Sequence, residues 1–182
     1  MSGPLLPGPV LPGTGSFRAV VAVLLVALAL SVQVSVLPFV AWQGVVPNLV
    51  LLVVVAAALS YGSEFAMVLG FAGGVLLDLA PPADHVAGRW ALALVAVGLL
   101  AGYVRTTRQG PLAVAGVVLA SSFVGTSIFA LTGVLLRDPA LGVGDLLGGV
   151  LQSVAGDLLL APLVLWPAMV LLRRVQAERA LT

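Results

Sequence analysis

The sequence predicts an all-α, polytopic membrane protein with about six transmembrane helices. The chain of 182 residues is 61% hydrophobic and only 8% charged, and its mean hydropathy is +1.21. A single water-soluble core of this size could not bury so much apolar surface, so the surrounding solvent is lipid. The apolar residues also fall in long runs, and about 20 helical residues cross a bilayer.

The first two predicted spans are bounded by prolines. The first runs over 18–37 and stops at Pro38. It is too long for a signal-peptide core, so we expect a retained anchor helix. The second runs over 47–61 and opens with Pro47 in its first turn, where the missing N–H costs nothing.

A tight turn at Gly62 separates the second span from the third, which covers 63–80. Ser63 is the predicted N-cap of the third span, and the following glutamate complements the helix dipole. Two prolines end that span. The fourth span is predicted over 88–104.

The fifth span covers 111–136, and the sixth follows Asp145, a predicted N-cap, and reaches Leu172. The sixth is too long for a straight crossing. It also contains Pro162 and Pro167, each of which removes a helical hydrogen bond. We therefore expect a kink or a break near Asp157 to Pro162.

The spans form one membrane domain over 18–173, between a Pro/Gly-rich disordered tail (1–17) and a short tail (174–182). With six spans, the arginines divide unequally between the two sides of the membrane, which predicts that both termini are cytoplasmic. The inner side receives Arg18, Arg105, Arg108, Arg173, Arg174 and Arg179, and the outer side receives Arg89 and Arg137.

Composition argues against several classes of function. The chain has no Cys, no Lys and one His, which excludes thiolate chemistry and a Schiff-base lysine and leaves no His-rich metal site. A net charge of +1 without a basic stripe argues against nucleic-acid binding. No paired carboxylates and no nucleophile beside a base are visible, so we expect no enzyme, no metal and no cofactor.

Asp157 is the strongest anomaly, because it lies deep in the sixth span with Gln152 about one turn before it. A charge at that depth costs about 2.5–3.5 kcal/mol on insertion scales, so it should face protein or water. Three interpretations stay open: a hydrogen-bonded lock against polar residues of other helices, the lining of a water-filled cavity, or a substrate or proton site. Asn48 and the polar residues 121–127 are the candidate partners in a lock.

The third span carries a stripe of small residues, because Ala66, Gly70, Gly74 and Asp78 recur every four residues. Such spacing lets a second helix approach closely, either within the chain or from a partner. Asp78 ends the stripe at the outer boundary. It is either a solvated interfacial residue or a polar anchor.

The segment Pro47–Leu52 and the segment Gly70–Asp78 resemble the rod shape-determining protein MreD family. That family has a Pro-Asp/Asn-Leu start to its second span and a Gly-Phe-x-x-Gly-x-x-x-Asp-like third span. The resemblance implies interface roles for Pro47, Asn48, Gly70, Gly74 and Asp78. The chain departs from the family pattern in its Pro-rich tail and in Asp157, where an Asn-like residue is expected, so the resemblance assigns Asp157 no role.

The resemblance implies a non-enzymatic scaffold of the cell-wall elongation machinery in the bacterial inner membrane. Its partners would be an MreC-like single-span protein, with a SEDS-type glycan polymerase and a class B penicillin-binding protein alongside. It also implies a fold similar to the substrate-binding S-component of energy-coupling-factor transporters. Such an S-component is the alternative function, although the outer loops offer few polar groups for a ligand: Trp42, Gln43, Asp84 and His85.

Overall fold

The computed structural model describes residues 14–40, 46–81, 86–106, 110–136 and 146–177, and all regular structure within these ranges is helical. Two short 3₁₀ segments, Leu37–Val40 and Val104–Thr106, follow the first and fourth α-helices. The α-helices are α1 (Thr14–Ser35), α2 (Leu49–Tyr61), α3 (Ser63–Leu79), α4 (Arg89–Tyr103), α5 (Pro111–Leu135) and α6 (Leu146–Ala177).

The chain is an all-α membrane protein, as predicted. Three apolar stretches are long enough to cross a bilayer by themselves: Phe17–Phe39, Pro111–Leu135 and Leu146–Val175. The helices α2, α3 and α4 have 13, 17 and 15 residues and are shorter than a full crossing. Length and composition alone therefore identify three of the six helices as membrane-spanning.

The ends of the chain differ in detail from the prediction. Helix α1 begins at Thr14 rather than Arg18, and residues 1–13 of the predicted tail lie outside the described residues. Helix α6 continues to Ala177 and runs without interruption through Pro162 and Pro167. The break that the prolines predicted is therefore wrong, and the alternative, a kink, stays a prediction. Asp145, the predicted N-cap of α6, also lies outside the described residues.

Helix α2 is the centre of the bundle. Every residue from Leu49 to Ser60 is buried, and the helix packs against each of the other five. A helix that is apolar on all sides is stable only where protein or lipid surrounds it, and here the other helices do so. At 1.5 Å per residue, its 13 residues extend about 20 Å, well short of the roughly 30 Å hydrocarbon core.

The turn between α2 and α3 consists of one residue, Gly62, as the sequence predicted. Its φ of +96° lies in a region that favours glycine, and its N–H donates to the Ala58 carbonyl oxygen at 2.9 Å. Gly62 is also the N-cap of α3, and no side chain caps that helix, so the prediction that Ser63 is the N-cap is wrong. Pro47 likewise lies just before the N-cap of α2 and not in its first turn.

Helices α3 and α4 form an antiparallel hairpin in which backbones touch. A Cβ atom added to Gly70 would lie 2.4 Å from the Leu94 carbonyl oxygen, and one added to Gly74 would lie 2.4 Å from the Ala91 Cα atom. Glycines of α4 face the backbone of α3 in the same way, at Gly98 and Gly102. The small-residue stripe is therefore occupied by a helix of the same chain.

Three arginines gather near the turn at Gly62. The Arg18 guanidinium lies 5.8 Å from the ring centre of Tyr61. A Cβ atom on Gly62 would be 3.1 Å from the Arg105 Nη1 atom. The Tyr61 hydroxyl donates to the Leu172 carbonyl oxygen at 2.7 Å, which places the neighbouring Arg173 at the same end of the bundle.

Candidate functional site

A buried polar cluster surrounds Asp157, whose side chain is 0% exposed. One carboxylate oxygen accepts the backbone N–H of Asn48 at 2.6 Å, and the other accepts the Ser122 hydroxyl at 2.5 Å. The carboxylate thereby joins three helices, because Asn48 begins α2, Ser122 belongs to α5 and Asp157 belongs to α6. Of the three interpretations of Asp157, this is the hydrogen-bonded lock.

The cluster satisfies the N-terminus of α2, where a helix leaves backbone N–H groups without intrahelical acceptors. Besides the Asn48 N–H, the Val50 N–H donates to Oε1 of Gln33 on α1 at 3.2 Å. The Leu51 N–H donates to Oδ1 of Asn48 at 2.9 Å, so Asn48 is a side-chain N-cap. Side chains from two other helices thus complete the cap, and the negative charge of Asp157 lies at the positive end of the α2 dipole.

Close packing and a second polar pair extend the cluster. The Thr126 and Ser153 hydroxyls are 3.3 Å apart, one turn beyond Ser122 and Asp157. Pro47 packs against Gly156, where an added Cβ atom would lie 2.8 Å from the proline Cγ atom. Two further buried polar atoms lie here, Asn48 Nδ2 and Ser121 Oγ, and neither has a hydrogen-bond partner among the described residues.

The cluster lies well inside the two longest helices, near the middle of α5 and about a third of the way along α6. Ser122 is eleven residues from the start of α5, and Asp157 is eleven residues from the start of α6, or about 16 Å along each axis. The pairs 122–157 and 126–153 show that these two helices run antiparallel. The N-terminus of α2 therefore starts inside the bundle, far from either end of α5 and α6. Gln152, predicted to be buried beside Asp157, is only half-buried.

Asp78 performs a similar task at another helix. It is 2% exposed and lies in the last turn of α3, where its carboxylate accepts the backbone N–H groups of Gly88, Trp90 and Ala91 at 2.8–3.1 Å. The N-cap of α4 is Gly88, which has no side chain to offer. Asp78 thus supplies the missing cap from the neighbouring helix, and it is a buried polar anchor rather than a solvated residue.

A cationic and aromatic contact near Asp78 was missed by sequence reasoning. Arg89 is buried, donates to the Phe129 carbonyl oxygen at 2.7 and 3.2 Å, and lies 3.9 Å from the centre of the Phe129 ring. Trp90 stacks on the same ring at 4.3 Å. The contact ties the start of α4 to α5. The available signal is an arginine directly after a glycine at the start of the fourth span, although the distribution of arginines alone assigns Arg89 only to the outer side.

The predicted site residues therefore divide between two interfaces. Pro47, Asn48 and Asp157 meet where α2, α5 and α6 join. Gly70, Gly74 and Asp78 lie between α3 and α4. The outer-loop residues Trp42, Gln43, Asp84 and His85 lie outside the described residues.

In these two interfaces the buried aspartates act as fixed hydrogen-bond acceptors. Within the described ranges, no group of three or more His, Cys, Asp or Glu side chains could hold a metal ion. Both buried aspartates accept backbone N–H groups at a helix N-terminus. Comparison with known proteins adds no relative: the chain matches no family model, no curated protein and no solved structure.

Proposed function

We propose that this chain is a non-enzymatic scaffold of the cell-wall elongation machinery in the bacterial inner membrane, where it binds an MreC-like single-span partner. A SEDS-type glycan polymerase and a class B penicillin-binding protein are the further proposed members of the assembly. The proposal rests on the resemblance of residues 47–52 and 70–78 to the MreD family. It gains support from what the polar residues in those segments do.

One observation carries the structural side of the proposal: both aspartates of the described residues cap a helix to which they do not belong. Asp157 caps α2, and Asp78 caps α4. A buried carboxylate that accepts hydrogen bonds from other helices fixes the position of those helices relative to its own. Rigid placement of helices is what a scaffold needs in order to present a constant surface to its partners.

The arginines support the proposed orientation. Arg18, Arg105 and Arg173 lie at one end of the bundle, and Arg89 lies at the start of α4 near the far end of α3. Under the positive-inside rule, the end with the three arginines faces the cytoplasm. Both termini are then cytoplasmic, as proposed from the sequence.

Site-specific photocrosslinking in native membranes tests the scaffold directly. Because Gly70 and Gly74 face α4, the probes belong on exposed side chains of different helices: Leu24, Phe71, Leu99 and Leu159. The proposal expects one face to crosslink to an MreC-like single-span protein, with the other faces as matched controls. Absence of such a product at every face, together with unchanged cell shape after depletion of the chain, would contradict it. A stoichiometric vitamin in the purified protein would instead favour the S-component alternative.

A further inference from the structure

Helices α5 and α6 enclose a groove of about 590 Å³ that neither buried interface uses. This volume lies within the roughly 300–1,000 Å³ of typical small-molecule sites. Its walls are apolar side chains of both helices, including Val114, Val118, Leu158 and Leu165, and among the described residues its one charged lining residue is Arg173. The groove thus combines a long apolar surface with the positive charge of Arg173.

The charge lies at one end of the groove. Leu158 and Arg173 are fifteen residues apart on α6, which is about 22 Å along the helix axis. Half of a bilayer, counted with its headgroup region, is about 20–22 Å thick. The groove therefore extends across one leaflet, from the mid-membrane level of Leu158 to the headgroup level of Arg173.

The start of α5 adds to the positive potential at that end. Pro111 is the first residue of α5 and lines the groove together with Arg173. Its N-cap is Gly110, and no side chain of the described residues caps this helix N-terminus. One end of the apolar groove thus holds both the positive end of a 25-residue helix and a guanidinium group. This combination is complementary to a lipid that has an anionic headgroup and an acyl chain.

We propose that this groove binds one anionic phospholipid of the arginine-side leaflet, with an acyl chain between α5 and α6 and the phosphate at Arg173. Trp166, which is 71% exposed, lies beside the proposed chain position. The inference does not depend on the proposed partners, since it uses only the groove and its charge.

Native mass spectrometry of the full chain tests whether the charge of Arg173 contributes to lipid binding. Delipidated protein is titrated with dioleoyl phosphatidylglycerol or with dioleoyl phosphatidylcholine, and the retained lipid is counted. We expect preferential retention of phosphatidylglycerol and a loss of about fivefold in Arg173→Gln, the factor that one basic residue contributes near an anionic headgroup. Arg174→Gln is the matched control, because Arg174 is adjacent and exposed but does not line the groove. Equal effects of the two variants, or equal retention of the two lipids, would overturn the proposal.

A second pair of variants tests whether the apolar part of the groove holds the acyl chain. Ala115→Leu places a larger side chain in the groove, and Ala113→Leu makes the same change on an exposed position of α5 outside it. We expect retention of phosphatidylglycerol to fall at least threefold in Ala115→Leu and to stay within twofold of the parent in Ala113→Leu. Unchanged retention in both would refute the groove as the binding place. A crosslink from position 115 to a partner helix, without retained lipid, would identify a protein occupant and also refute it.

Discussion

The contact between α3 and α4 at Gly74 gives the sharpest test of the fold. Gly74→Ala adds one methyl group, whose carbon would lie 2.4 Å from Ala91 Cα, 2.5 Å from Ala91 N and 2.6 Å from Trp90 C. Carbon atoms pack best at about 3.5–4.0 Å, so the helices must separate by about 1 Å. All three neighbours are backbone atoms of a helix, and none can rotate away as a side chain would.

The expected loss of stability is about 1–3 kcal/mol, the usual cost of overpacking a closely packed interface. In water, replacing a helical Gly by Ala would return about 1 kcal/mol through helix propensity. In lipid this gain is smaller, because the backbone stays helical when the helices separate. Gly116→Ala is the matched control, since nothing lies within 4 Å of the added Cβ atom on α5. We expect it to change stability by less than about 0.5 kcal/mol.

The assay is reversible unfolding of the purified protein in mixed micelles of mild detergent and dodecyl sulfate, compared among the variants. A second substitution, Ala91→Gly, distinguishes the cause of the loss. It removes a methyl group but leaves the backbone atoms that the new Cβ atom meets, so it should not rescue Gly74→Ala. Rescue by Ala91→Gly, or parental stability of Gly74→Ala, would refute the backbone contact.

Three further predictions concern hydrogen bonds. Asp157→Leu should cost about 1–3 kcal/mol in the same unfolding assay, because it leaves the buried Asn48 N–H without an acceptor. Asp78→Ala should cost about 0.5–2 kcal/mol, typical of a lost N-cap, and should accelerate hydrogen exchange of the Ala91 amide measured by NMR. Tyr61→Phe should cost about 0.5–1.5 kcal/mol in thermal unfolding, because it removes the hydrogen bond to the carbonyl oxygen on α6.

Each of these predictions has a control that keeps the shape of the side chain. Asp157→Asn and Asp78→Asn retain one acceptor oxygen and should lose less stability than Asp157→Leu and Asp78→Ala. Tyr103→Phe removes the hydroxyl of a tyrosine that is 82% exposed and should be close to neutral. Equal losses for the paired aspartate variants would mean that packing, rather than hydrogen bonding, explains the effect. A loss in Tyr103→Phe as large as in Tyr61→Phe would contradict the role given to the buried hydroxyl bond.

Much of the fold could be predicted from the sequence, because in lipid each helix must satisfy its own backbone and leaves a long apolar run. The six helices and the turn at Gly62 were found in this way. The uninterrupted course of α6 through its prolines could not be predicted in this way. A proline removes one hydrogen bond, but a helix packed on its neighbours can continue past it. The N-cap of α3 was also misassigned, because a capping serine and a turn glycine were adjacent and either could begin the helix.

The buried polar residues could mostly be recognised in the sequence, but only some of their hydrogen-bond partners could be predicted. Asn48 and the polar residues of α5 were candidate partners of Asp157, and the structure selects the Asn48 N–H and Ser122. Gln33 was missed, although a lone glutamine in an apolar span is itself a signal of a buried contact. The link between Asp78 and the start of α4 depends on how a loop places two helices, and the spacing of residues along the chain does not contain that information.

The shortness of α2 explains why a charge is kept in the middle of this membrane domain. A central helix of about 20 Å cannot reach both surfaces, so its N-terminus lies inside the bundle, where its first N–H groups need acceptors from the protein. A neutral acceptor would satisfy the Asn48 N–H, but a carboxylate also benefits from the positive end of the α2 dipole and accepts a second bond from Ser122. These interactions offset the cost of burying Asp157. Asp78 likewise accepts N–H groups at the start of α4, whose own N-cap is a glycine.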